Sequence, residues 1–326
     1  MMQYITNGSI KYIVEEAKKR GYHVEFIDKD LYYIQSEKEK IYFHHEISEK
    51  SSAFGYKICK AKHLTKIFLN LASISTPEGK VFSTVDYEKA LSYAKDQGFN
   101  KIIMKPNSGM KGRDVFINID SEEAFEAAYK AILSGDDEVI VEKKFLGQEY
   151  RVWATQKKAL AVINRIPANV TGDGVHSISK LIEIKNEDKR RTDNDLSPLR
   201  KIRVDQHVLK FLEKQELSLE YVPKAKEKIY LRENSNLATG GDSLNITDIA
   251  HKSVLDLAVK AINSIPGLLY GGVDFMTTDI TKEQTKDSYS IIEINASAGI
   301  SSCHAPAVGP SVNAAAEILN IVFGEK

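Results

Sequence analysis

The sequence predicts an α/β (α+β) protein with a small N-terminal α/β domain followed by two further α/β lobes. Three observations carry this. Segments of helical period alternate with short apolar strand-like runs along the whole chain. One such run, KIIMKP, leads directly into the glycine-bearing stretch NSGMKGRDV and a return run, VFINI. Two late runs, LYGGVDFMT and YSIIEIN, each deliver a carboxylate near a strand end, Asp274 and Glu293.

Composition narrows the function classes. With 326 residues the chain has room for roughly two to three packed units. Lys plus Arg and Asp plus Glu both number 45, so no global field favours nucleic acid or an anionic membrane surface. The N-terminal stretch lacks the apolar core of a signal peptide, and no run approaches the length of a membrane span. The two cysteines, Cys59 and Cys303, do not make a disulfide framework, so a cytoplasmic location is expected.

Taken in order, Ser9 is read as the cap of a helix over residues 10–20, because Ile10, Ile13, Val14 and Ala17 share a face and Gly21 follows. The strand-like runs YHVEFID, LYYIQ and KIYFHHE complete a first domain, 1–56. A second division, 57–141, opens with KICKAKHLTKIFLNLASISTPEG, read as one helix stopped at Thr76-Pro77 with Lys62 and Lys66 on one face. A helix over residues 87–98, the KIIMKP strand, the glycine loop, a helix over 121–133 and the strand EVIVE follow. The third division, 142–326, contains a polar excursion at 185–230, whose apolar helix face near VLKFLEKQE argues for an ordered cover over a site. It closes with a helix over 253–264, the two carboxylate-bearing strands, the loop ASAGISSCHAPAVGPS and a last helix.

Several constellations suggest chemistry. Asp274 and Glu293, with Asn295 two residues on and hence on the same strand face, suit a hard divalent cation such as Mg²⁺, although Asp and Asn at strand ends are also turn formers. In the loop from Asn107 to Asp114, Ser108, Gly109, Lys111 and Gly112 let backbone N–H groups approach an anion, and Lys105 adds positive charge; an ordinary glycine hairpin is the plain alternative. The loop fits neither a Walker motif nor a dinucleotide fingerprint. Glu142 and Glu149 bracket a connection between lobes where a nucleoside could be held, or are surface charge.

The order of these motifs resembles the ATP-grasp superfamily of carboxylate–amine ligases. The strings YRVWATQKKALAVINRIPANVTGDGVHSI and YLRENSNLATGGDSLNITD resemble the ligase half of bifunctional glutathione synthetases and the corresponding module of cyanophycin synthetase. The resemblance covers roughly residues 57–323. It implies two lobes sandwiching ATP. It also implies that Lys62 and Lys105 reach the phosphates, that Glu142, Lys143 and Phe145 form the adenine hinge, and that Glu149 holds the ribose. Asp274, Glu293 and Asn295 would be magnesium ligands, two Mg²⁺ ions being expected and Mn²⁺ admissible. Arg232, with Arg165 as a second, would lie near the transferred phosphoryl.

The expected activity is a stand-alone ligase that converts a carboxylate to an acyl phosphate and lets an amine attack it, joining an amino acid or short peptide to an acid and releasing ADP and phosphate. A glutathione-like tripeptide synthetase and a non-catalytic nucleotide-binding module are the alternatives. Partners are small-molecule acids and amines, with neither nucleic acid nor membrane, and a homodimer is the family-like expectation. Departures from the relatives fall at Asp114, where a third glycine is usual, and at Ala298, where proline is usual. Ser301, Ser302, Cys303 and His304 also differ, and these four are therefore the candidate substrate loop.

Overall fold

The computed structural model describes residues 4–109 and 113–325. Close packing divides the chain into two compact units, one comprising residues 1–50, 160–248 and 297–326, the other 51–159 and 249–296. These boundaries cut across the sequence divisions 1–56, 57–141 and 142–326, because the chain leaves each unit and returns to it.

In the first unit, the helix Gly8–Lys19 buries Ile10, Ile13, Val14 and Ala17, the face expected from their spacing. Its cap is Asn7, whose side chain accepts the N–H groups of Ser9 and Ile10; Ser9, expected in that role, instead accepts the Ile300 N–H at 3.0 Å. Strands His23–Asp28, Leu31–Gln35, Lys40–His44 and Ile47–Ser48 pair consecutively as an antiparallel sheet. The polar excursion is ordered. Its helices Ile178–Asn186 and Gln206–Glu213 close over a core that includes Val170, Leu181, Val208, Leu212 and Leu231. Strand Ala159–Ile166 pairs antiparallel with Asp242–Asn245, and Asn169–Thr171 with Lys228–Tyr230. Gly240, at φ +97°, permits the left-handed turn that brings the chain into Asp242–Asn245.

In the second unit, Glu138–Lys143 is the middle strand between Gly79–Ser83 and Ile102–Pro106, all antiparallel. Helices Tyr87–Gln97 and Glu122–Leu133 share a core with this sheet that contains Phe82, Leu91, Met104, Phe125, Ile132 and Val141. Fully burying such a side chain contributes about 1.5–3 kcal/mol. Tyr270–Thr277 runs antiparallel between Gln148–Thr155 and Tyr289–Asn295.

Two expectations fail here. The helix read across residues 57–75 is two, Ala53–Lys60 and Lys62–Leu71, broken at Ala61 (φ −98°, ψ 103°). The return run VFINI is no strand: it meets the sheet through an isolated bridge between Phe116 and Met104 and buries Ile119 in the sheet's core. Among the described residues, no helix is long and apolar enough to cross a membrane.

Candidate active site

The second unit draws most of the expected site residues together. Residues Lys62, Thr65, Lys66 and Leu69 form the buried face of helix Lys62–Leu71, so the lysines point inward with the apolar stripe and not into solvent. Asn107 fixes this helix: its carbonyl accepts the Lys62 N–H at 3.1 Å and its Oδ1 accepts the His63 N–H at 3.1 Å, which satisfies N–H groups that Ala61 has no side chain to cap. Helix start and glycine loop are thereby tied at one residue.

Glu142 is buried between two lysines. Lys66 Nζ lies 2.5 Å from one of its oxygens and Lys105 Nζ 2.6 Å from the other. Burial alone would raise the Glu142 pKa, yet the Lys105 and Lys66 charges override it and hold the group below its usual value. Lys66 is lowered, chiefly by burial, and its Nζ also donates to the Pro77 carbonyl at 2.6 Å. Glu142 is therefore an internal counterion, a placement the hinge expectation did not include. Further along that segment, the Lys143 and Lys144 N–H groups donate to the carbonyls of Glu78 and Lys101, Lys143 Nζ pairs with Glu78, and Phe145 is half-buried.

Strand register builds the acidic group. Asp274 stands opposite Glu293 on one side and opposite Arg151 on the other. Arg151 grips Asp274 through Nε and Nη2, the latter at 3.0 Å. Asn295 Nδ2 lies 3.3 Å from Asp274 Oδ2 and 3.1 Å from Glu293 Oε1. Burial, then the Asp274 charge, raise the Glu293 pKa. Lys62 Nζ is 4.0 Å from Glu293 and donates to the Gly109 carbonyl; burial lowers its pKa, against the opposing pull of Glu293.

Among the described residues, no three His, Cys, Asp or Glu side chains converge as a metal site, so the oxygen set is two carboxylates and one amide. That set fits Mg²⁺, which takes one or two carboxylates and completes its shell with water and phosphate oxygens. Burial and, after it, the Asp274 charge raise the Glu293 pKa, and a divalent cation would offset both. Asn295 would present Oδ1 after an amide flip.

The glycine loop is only partly in view. The Ser108 N–H and Oγ bond Asp136 at 3.0 and 2.6 Å, while Lys111 and Gly112 lie outside the described residues. Asp114 has φ +56°, in the left-handed region where glycine is at no steric disadvantage and aspartate is among the side chains that tolerate it. Glu149 is half-buried on the strand Gln148–Thr155, opposite Met276.

The other candidates belong to the first unit. Arg232 is 9% exposed and its Nη2 donates to Asp205 at 2.6 Å, whereas Arg165 is half-buried on the strand Ala159–Ile166. Ser301 to His304 form a short helix in which Cys303 is fully enclosed. His304 stacks on Tyr12 at 4.2 Å and accepts the Ala315 N–H at 3.0 Å, and burial pushes its pKa down to about 4. Cys303 and His304 thus serve packing and capping, which leaves Ser301 and Ser302 as the loop's partly open side chains.

Sequence reading missed Arg151, Asn107 and Asp136. Only Arg151 carried a usable signal, since the alternation in EYRVW places it on the face of Glu149.

Comparison with known proteins identifies what the chain is similar to. Residues 60–166 match a family model described as phosphoribosylglycinamide synthetase, ATP-grasp (A) domain. The chain is 32% identical over 322 residues to the glutathione biosynthesis bifunctional protein GshAB of Clostridium perfringens, covering 97% of this chain and 41% of that protein. It is 32% identical over 321 residues to cyanophycin synthetase of Trichormus variabilis, covering 97% of this chain and 35% of that protein. A crystal structure of a bifunctional glutathione synthetase from Pasteurella multocida superposes with TM-score 0.78 at 28% identity, over 98% of this chain and 43% of that one. The chain thus spans less than half the length of each of these relatives. Its fold is the ATP-grasp fold.

Proposed function

We propose that this ATP-grasp chain is an ATP- and Mg²⁺-dependent carboxylate–amine ligase that works through an acyl phosphate and releases ADP and phosphate. The observation that carries the reading is the 4.0 Å approach of buried Lys62 to Glu293, which joins a lysine-lined wall to a group of oxygen donors. A polyphosphate bridged by a cation needs both sides. The names of the relatives, a glutathione biosynthesis protein and a cyanophycin synthetase, support a bond-forming role.

A carboxylate is a poor electrophile at neutral pH, so it must first be activated by attack on the γ-phosphate. The amine then attacks the acyl carbon and phosphate leaves; no protein nucleophile is needed. Accordingly neither cysteine serves as one: burial, then the Glu293 charge, push the Cys59 thiol up to about 12, and Cys303 is enclosed. In the proposed division of labour Lys62 and Lys105 hold phosphate oxygens, as do Ser108 and Gly109 with Lys111 and Gly112. Segment Glu142, Lys143 and Phe145 takes the adenine, and Glu149 the ribose. Asp274, Glu293 and Asn295 would hold Mg²⁺, two ions in our reading with Mn²⁺ able to replace them, and bound Mg²⁺ would supply charge neutralisation at the transferring phosphoryl. Arg232 and Arg165 would add to that field. The lobes 57–141 and 142–326 remain our division of the nucleotide-binding part. We assign the protein to the cytoplasm and expect a homodimer.

The similarity to glutathione-making proteins favours one narrower reading, a glutathione-like tripeptide as product. ADP release with γ-glutamylcysteine plus glycine, compared with a panel of other acid and amine pairs, separates the two. Asp274→Asn combined with Glu293→Gln should reduce substrate-dependent ADP release by at least about a hundredfold. Full activity in that variant would remove the metal assignment. Stoichiometric ATP binding without turnover on any pair would instead favour a nucleotide-binding module.

A further inference from the structure

Helix Lys62–Leu71 begins without a side-chain cap, because Ala61 stands at the capping position. Its first N–H groups are satisfied from outside the helix, and Asn107 does this for Lys62 and His63. Whatever fixes Asn107 therefore fixes the point from which the Lys62 side chain starts.

The Asn107 amide has one permissible orientation. Its Oδ1 meets the His63 backbone N–H at 3.1 Å, a group that can only donate, and its Nδ2 meets Glu138 Oε2 at 2.6 Å, a carboxylate oxygen that accepts. Nδ2 also donates to His63 Nδ1 at 2.7 Å, which requires a neutral His63 with its proton on Nε2. On the main chain, the Asn107 N–H donates to the Glu138 carbonyl at 3.1 Å, and Asn107 is 3% exposed.

Glu138 opens the strand Glu138–Lys143, the middle strand of its sheet, so the anchor is rigid. Two residues earlier, Asp136 accepts the Ser108 N–H and hydroxyl through Oδ2 and the Glu138 N–H through Oδ1, the last at 3.1 Å. One strand start thus holds the first residues of the glycine loop and, through Asn107, the helix start from which Lys62 reaches the Gly109 carbonyl and Glu293. An acid beside a polyphosphate site repels the ligand. Half-buried Glu138 nonetheless stands beside this loop, and among the described residues its carboxylate makes one side-chain bond, to Asn107.

We infer that Glu138 is a positioning residue for phosphate binding: acting through Asn107, it fixes the helix start that aims Lys62, and this outweighs the repulsion its charge brings. The inference rests on the ligase reading, in which Lys62 holds phosphate oxygens.

The test is calorimetric titration of the full chain with ATP and, separately, with AMP, both in Mg²⁺. The ratio of the two affinities reports on the outer phosphates, and AMP binding reports that the nucleotide site is folded. Lys62→Met should lower this ratio about tenfold. Glu138→Ala should lower it by about as much while AMP binding is unaltered, and Glu138→Gln, which still offers Asn107 an oxygen, should keep at least about half of it. Glu138→Ala added to Lys62→Met should cost nothing further, because Glu138 acts through Lys62. A ratio that rises in both Glu138 variants would mean that charge decides, and would overturn the inference. So would a ratio unmoved by Glu138→Ala, or an equal loss of AMP and ATP binding, which marks a merely structural role. A ratio indifferent to Lys62→Met would remove the phosphate role of Lys62 itself, and the inference with it.

Discussion

Glu142 shows how much one side chain can organise. Enclosed with Lys66 and Lys105, it is the counterion both share, and its charge opposes the burial that lowers the Lys66 pKa. Glu142→Gln should lower the unfolding free energy by about 3–5 kcal/mol, since removing one partner leaves buried charge uncompensated. Tripolyphosphate, which carries no adenine, should restore more stability to that variant than to the parent; equal or smaller recovery in thermal melts would mean that the lysines do not face phosphate. His304 makes a pH prediction of definite sign. Its folded pKa, about 4, is below the ordinary 6.5, so the neutral ring stabilises the fold at neutral pH and that contribution is lost as pH falls through this window. With the ring partly open to water, the loss is on the order of 1 kcal/mol. Urea midpoints from pH 7 to 4 should fall less steeply for His304→Gln, and an unchanged slope would refute the assignment. The spacing of Lys62 and Lys66 was readable as a shared face. Its inward direction was not, because that depends on Thr65 and Leu69 packing beneath it.

At the scale of elements, helix Gly8–Lys19 meets two loops at its first residue. A Cβ on Gly8 would lie 2.6 Å from Ser301 Oγ and 3.0 Å from the Leu196 carbonyl oxygen, while the Gly8 N–H already donates to Asp195 at 2.9 Å. Gly8→Ala should therefore cost about 1–3 kcal/mol and speed amide hydrogen exchange in residues 297–304, where Ile300 is held by Ser9. Unaltered exchange there would contradict this buttressing role. Strand and helix identities followed well from periodicity. What failed was set by distant partners: Ala61 breaks a helix where nothing in the local residues demands it, and VFINI buries Ile119 in the core while meeting the edge strand Ile102–Pro106 at an isolated bridge. The cap at Asn7 instead of Ser9 is a local matter, two good capping residues within one turn, decided by the use of Ser9 to hold Ile300.

For the whole molecule, the ATP-grasp fold was legible because the order of motifs survives even where each motif is weak. The compact units were not, since the chain crosses between them and sequence divisions cannot register such returns. Arg151 illustrates the same limit: its hold on Asp274 spans 123 residues and depends on strand register. The central claim is activation of a carboxylate by ATP, and isotope transfer tests it most directly. An acid that supports ADP release is labelled with ¹⁸O in its carboxylate and turned over with Mg²⁺, ATP and its amine. We predict one labelled oxygen in the released phosphate for each amide formed. Phosphate free of label, or a product that keeps the phosphoryl group, would contradict it.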